Sequence, residues 1–188
     1  MAASATSLEY VQKMYIAYFG RPAAPTGQEY YGQLVDAGKI AALQDDFWNS
    51  AESQALFNQP TTEGKVNAIF NQLFGRDAET AGLTYWTVEI NAGRVSLPSA
   101  ALTILNSASA ADAAVFDAKM DVADAFTGEL DTTSEVLAYQ SNTAGGRTTL
   151  AAIETQAQAD TAVAGITAIV AVVVAGGSSE TDTFALTN

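Results

Sequence analysis

The side chains available for chemistry are limited from the start. Among 188 residues there is neither His nor Cys. That removes the commonest general base, the commonest transition-metal ligand and the thiol nucleophile. No Ser-His-Asp or Cys-His set can form. The pairs Gly145-Gly146 and Gly176-Gly177 lack both a Walker lysine and a dinucleotide fingerprint. A carboxylate pair for glycoside hydrolysis is decided by separation in space, not by spacing in sequence. The chain therefore reads as a non-enzyme, and three groups remain as candidates for binding. Asp117, Asp121 and Asp124 recur at intervals that place them on one helix face. Their hard oxygens suit Ca²⁺, but that ion usually takes roughly six or more oxygens, largely from loops. No D-x-[DN]-x-[DN]-G loop is present, so a solvated acidic face is the favoured reading. Arg21 and Arg76 form the second group. They could bind sugar hydroxyls or carboxylates, or each fork of donors could tie a turn to a carboxylate or to helix-end carbonyls; the structural role is favoured. The third group is aromatic: Tyr30, Tyr31, Tyr85 and Trp86, with Trp48. Such rings can stack on sugars, though rings at helical spacing are more often core.

Two of these groups sit inside a repeated stretch. Met14 to Tyr31 reads MYIAYFGRPAAPTGQEYY, and Ile69 to Trp86 reads IFNQLFGRDAETAGLTYW. One offset of 55 carries Phe19 to Phe74, Gly20 to Gly75, Arg21 to Arg76, Gly27 to Gly82, Tyr30 to Tyr85 and Tyr31 to Trp86. It also carries Gly38 to Gly93, and a shift of two then aligns Asn49-Ser50-Ala51 with Asn106-Ser107-Ala108. One offset held across several residue types marks an internal duplication. Each copy reads as helix, tight turn, helix, then a third helix. Phe-Gly ends the first helix, because Gly accepts the left-handed cap that a Cβ resists. Pro22 and Pro25 keep the link short. Thr26-x-x-Glu29 matches a capping box, and Thr80 is the corresponding cap in the second copy. The rings are expected to pack against the partner copy.

The remaining elements follow from periodicity and caps. A helix capped by Ser7 carries Leu8, Val11, Met14, Tyr15, Tyr18 and Phe19. The expected fold is all-α: copies at about 10–58 and 65–108, a capping helix over 110–130, an accessory helical segment over 131–175 and a linker over 176–188. Within the accessory segment, Thr133 to Asn142 reads as a short helix, Ala144-Gly145-Gly146 as a break, and Thr148 to Ala159 as a weakly apolar helix. Ala162 to Ala175 is too short for a bilayer, which needs about 20 apolar residues. It reads as a buried helix or an oligomer contact, with a strand left open by its Val and Ile content. Gly176 to Ser179 reads as a flexible joint, and Thr183 to Thr187 alternates like the opening of a strand.

The F-G-R-x-A-x-x-x-G-x-x-Y-aromatic signature, over roughly Tyr10 to Leu130, resembles a helical domain of uncharacterised function. That domain lies near the start of surface-layer and RTX-type exoproteins of Gram-negative bacteria and is distantly similar to phycobilisome linker domains. The resemblance implies a non-enzymatic N-terminal module of a type-I-secreted surface-layer protein. It further implies attachment of the lattice to lipopolysaccharide O-antigen, self-association, Ca²⁺-assisted assembly and an extracellular location at the cell surface. Arg21, Tyr30, Tyr31, Arg76, Tyr85 and Trp86 are the polysaccharide-binding candidates, and Asp117, Asp121 and Asp124 the metal candidates. Composition agrees in part. Eight basic residues against 21 acidic ones give a formal charge of −13, which disfavours nucleic acid and anionic lipid as partners. The N-terminus MAASATSLEY lacks the basic and apolar regions of a Sec signal, and the absence of Cys suits an exported chain that folds without disulfides. Two alternatives stay open: a spacer or interaction segment of an RTX adhesin or exoenzyme, and an intracellular linker-like scaffold.

Overall fold

The computed structural model describes residues 2–176, and they are all-α. The first unit holds α1 (Ala5–Phe19), α2 (Pro25–Asp36), α3 (Ile40–Asn49) and α4 (Ala51–Phe57). The second holds α5 (Thr62–Phe74), α6 (Thr80–Asn91) and α7 (Leu97–Asn106), and leads into the long α8 (Ala110–Glu129). The accessory segment holds α9 (Thr133–Ser141), α10 (Thr143–Ala151), α11 (Gln156–Ala164) and α12 (Ile166–Val174).

Side-chain caps set most helix starts. The hydroxyls of Ser4, Ser50, Thr61, Ser96, Ser109, Thr132 and Thr155 each accept an N–H from the first turn that follows. Several expected starts shift. Ser4, not Ser7, caps α1, and the Ser7 hydroxyl instead donates to Asp36. Thr26-x-x-Glu29 forms no capping box, because Pro25 already opens α2 at its first position. Glu29 turns away to accept from the Ala3 N–H. Thr80 lies inside α6, whose start at Glu79 has no side-chain cap. The capping box that does form joins Thr132 and Glu135.

Both Phe-Gly turns take the left-handed cap: Gly20 has φ 69° and Gly75 φ 72°, and each N–H closes on the carbonyl four residues back. Helix α1 is the hub. It packs against α2, α3, α4, α5, α7 and α8, and its Val11, Met14, Ile16, Ala17 and Tyr18 are fully buried. The main apolar core runs from Val11 to Ala159, so residues of α10 and α11 enter it alongside both units. A smaller core joins Ala24, Phe126, Leu130, Val136, Tyr139, Val170 and Val173.

The rings do not clasp across the two units as expected. Among the described residues, Tyr15, Phe19, Tyr31 and Phe47 cluster inside the first unit, Trp48 stacks on Phe57, and Phe70 meets Phe74 inside the second. The joint between units is made instead by α1 on α5 and α3 on α7, with polar ties from the Tyr18 hydroxyl to the Pro98 carbonyl and from the Gln72 amide to the Ile16 carbonyl.

In the accessory segment, Gly145 and Gly146 are buried inside α10 and form no break. A Cβ on Gly146 would come within 2.6 Å of the Tyr139 hydroxyl, so the close approach of α9 requires glycine there. The expected Thr148–Ala159 helix is instead split between α10 and α11 by residues 152–155. The Val- and Ile-rich stretch is helical, not a strand: α11 and α12 meet at Gly165 with a 72° bend. No single described helix is long and apolar enough to cross a membrane. The strand expected at Thr183–Thr187 lies outside the described residues.

Candidate functional site

The two Arg turns are built alike. Arg21 forms a two-pronged ion pair with Glu52, at 2.6 and 2.9 Å, and Arg76 forms one with Asp112, at 2.9 and 2.8 Å. Each guanidinium also donates to the carbonyl of the next residue and lies over a ring one turn back, Tyr15 at 5.1 Å and Phe70 at 5.7 Å. Each turn is pinned by one further amide: Gln12 Oε1 accepts from the Ala23 N–H, and Asn67 Oδ1 from the Ala78 N–H. Gln12 and Asn67 are again related by the offset of 55. Both arginines are thus spent on folding, and a sugar would have to displace a carboxylate from either.

The first turn is more deeply enclosed. Arg147 of α10 donates to Glu52 at 2.7 Å and to the Phe19 carbonyl at 3.0 Å, so one carboxylate serves two guanidinium groups and the end of α1 gains a cationic cap. Burial is the largest single influence and opposes the Arg21 charge, but the Glu52 hydrogen bonds together with the charges of Tyr139, Glu52 and Tyr15 hold its pKa above the ordinary value. The Tyr139 hydroxyl donates to the Pro22 carbonyl, and Thr127 links Gln12 to the Ala23 carbonyl. Lys119 of α8 serves the end of α5: the residue is 3 % exposed, and its ammonium donates to the Gln72 carbonyl at 3.0 Å. Burial, partly offset by Glu154, pulls its pKa down to about 8.

The four aromatic candidates divide. Trp86 is buried and Tyr31 half-buried against Phe47. Tyr30 and Tyr85 are 61 % and 56 % exposed, the only exposed rings among the described residues. They are a matched pair, Tyr30 edge-on to the half-buried Tyr31 and Tyr85 edge-on to the buried Trp86, at 5.1 and 5.0 Å. Their settings differ. Tyr30 borders an open hollow of 440 Å³ with Pro25, Thr26, Glu29 and Gln33. The Glu29 carboxylate accepts from Gln33 and from the Ala3 N–H, which hold its pKa below the ordinary value. Beside Tyr85 on α6, Ala81, Thr84 and Val88 are exposed, and Arg94, paired with Glu89, lies close to its hydroxyl.

Of the acidic candidates, Asp121 and Asp124 border one open hollow together with Asp160 of α11, and Asp117 is not part of its lining. Asp117, Asp121 and Asp124 are exposed along α8, but among the described residues no three acidic side chains group to hold a metal ion. Asp121 and Asp160 both accept from the Gln156 amide, which ties α11 to α8. Burial, with the nearby charges of Glu9 and Asp121, raises the pKa of Asp124. This face works as a seat for α11.

Sequence reasoning missed Glu52, Asp112, Arg147 and Lys119 as partners. The signal for the first two was present, since a carboxylate follows each capping serine, Ser50 and Ser109, near the start of the fourth helix of each copy.

Among known families, a domain of unknown function (DUF4214) matches residues 44–113, which run from late α3 through the second unit to the start of α8. Neither the curated proteins nor the solved structures yield a match.

Proposed function

We propose that this is a non-enzymatic surface module that grips polysaccharide, the lipopolysaccharide O-antigen in the reading the signature suggests, and so anchors an assembling protein coat to the cell. One observation carries the proposal: the only two rings exposed among the described residues are Tyr30 and Tyr85, which occupy the same place in the two copies. Every other ring of the repeated stretch is packed or half-packed, so exposing this position costs hydrophobic burial twice over. An exposed tyrosine offers a flat apolar face with a polar tip, which suits a sugar ring. The cell-surface setting, self-association and Ca²⁺-assisted assembly come from the resemblance and belong to the same proposal. In this reading Ca²⁺ does not rest on a cage of Asp117, Asp121 and Asp124.

Calorimetry or sedimentation with purified smooth lipopolysaccharide, with and without Ca²⁺, tests the proposal. Binding by the wild-type chain that weakens in Tyr30→Ala while the helical circular-dichroism signal is kept supports it. No signal with or without Ca²⁺ removes the anchoring role.

A further inference from the structure

The hollow beside Tyr30 does not end at α2. A second hollow, of 280 Å³, shares Pro25 and Thr26 with it and continues between α2 and α9. The Gln140 amide of α9 donates to the Thr26 hydroxyl at 3.1 Å across the junction. Leu137 of α9, 59 % exposed, lines the second hollow together with Asp131 and Thr133. The lining of the combined groove is distinctive. It has an exposed ring at one end and an exposed aliphatic side chain at the other, with alcohols and amides between them. Its two formal charges are the carboxylates of Glu29 and Asp131, and no Lys or Arg lines either hollow. The hydrogen bonds from Gln33 and the Ala3 N–H keep Glu29 ionised.

We infer that this groove, completed by α9, is the binding track for several consecutive residues of an uncharged polysaccharide, and that Glu29 and Asp131 exclude acidic glycans from it. The inference rests on the polysaccharide-binding proposal and adds to it a location and a substrate class. Rings and aliphatic side chains stack on the apolar faces of sugars, and alcohols, amides and carboxylates pair with sugar hydroxyls. A carboxylated or phosphorylated chain would bring like charges together without a cation to separate them. A short cationic peptide would satisfy the carboxylates but would leave the alcohol-and-amide middle of the groove with little to do.

The test is affinity electrophoresis of the whole chain through gels containing dextran, mannan or delipidated O-polysaccharide, and then the carboxymethylated form of whichever polymer retards it most. Carboxymethylation is expected to weaken retention by about tenfold. The double variant Glu29→Gln with Asp131→Asn should remove most of that difference, which separates the groove from the overall negative charge. Gln140→Ala and Leu137→Ser should each weaken binding of the neutral polymer by about fivefold, with melting temperature as the check on folding. If Tyr30→Ala loses binding but the α9 variants and the charge-neutral double variant behave as wild type, the groove is wrong and the polysaccharide-binding proposal survives. If no polymer retards the wild-type chain, the proposal itself fails and takes the groove with it.

Discussion

Two turns with nearly the same spelling end in opposite surroundings. Phe19-Gly20-Arg21-Pro22-Ala23 lies under α8, α9 and α10, with Pro22 and Ala23 buried and the Arg21 side chain 12 % exposed. Phe74-Gly75-Arg76-Asp77-Ala78 lies near the surface, with Asp77 exposed and the Arg76 side chain 39 % exposed. Their backbones, ion pairs and amide pins agree, so the motif dictates the turn. Its burial is decided elsewhere, by whichever helices the chain lays over it. The same split appears at the rings: Tyr30 is set among Glu29, Gln33 and Thr26 in a hollow, whereas Tyr85 stands beside Thr84 and Val88, with Arg94, paired to Glu89, close by. The Arg21 turn is the enclosed one and the Arg76 turn the open one.

Breaking the Arg turns should show the largest gap. Arg21→Ala leaves Glu52 half-paired under protein and removes the stacking on Tyr15, so it should cost about 3 kcal/mol in urea denaturation. Arg76→Ala breaks a more exposed pair and should cost about 1 kcal/mol or less. Equal losses would mean that enclosure by α10 contributes little. Next in size is Gly146→Ala, which forces α10 away from Tyr139 and threatens the hydrogen bond to Pro22. A cost of about 2 kcal/mol is expected, with near-ultraviolet circular dichroism reporting the displaced tyrosine. Gly20→Ala and Gly75→Ala sharpen the comparison further. Both strain a left-handed backbone by about 1 kcal/mol, but a Cβ at Gly20 also meets the Gln72 amide at 2.7 Å, whereas the nearest atom to one at Gly75 is 3.8 Å away. Gly20→Ala should therefore melt clearly below Gly75→Ala.

The smallest expected effect is at Lys119. Its folded pKa, about 8, lies below the unfolded value of 10.5. Between those values the unfolded chain holds a proton that the folded chain has released, so this group makes stability rise with pH. Lys119→Met should flatten that rise between about pH 8 and 10.5, and at pH 7 should gain about 1 kcal/mol after the lost hydrogen bond to Gln72 is set against the relieved burial of charge. A steeper rise in the variant would overturn the assignment.

Most of the helical order was legible in the sequence because it is local. Phe-Gly ends and 3.6-residue spacing located these helices to within a few residues, although the caps expected at Ser7, Thr26 and Thr80 do not form. What stayed hidden was long-range. Nothing near Glu52 announces that Arg147, 95 residues on, will share it. Gly145-Gly146 reads as a break by helix propensity, and only the approach of Tyr139 explains why a helix keeps two glycines there. The site was half legible: the repeat drew attention to Tyr30, Tyr31, Tyr85 and Trp86, but adjacent residues on a helix point about 100° apart, so tertiary packing decided which of each pair reached solvent. The contribution of α9 to the groove was not legible, because its helix lies about 100 residues beyond α2 and has no motif of its own.

The most direct measurement is the affinity of neutral O-polysaccharide for the wild-type chain, Tyr30→Ala and Tyr85→Ala, each shown by circular dichroism to be folded. A loss of about tenfold at Tyr30, with a loss of about threefold or less at Tyr85, is expected from removing a stacking ring inside the groove and one outside it. Unchanged affinity in Tyr30→Ala, or equal losses at both positions, would contradict the account.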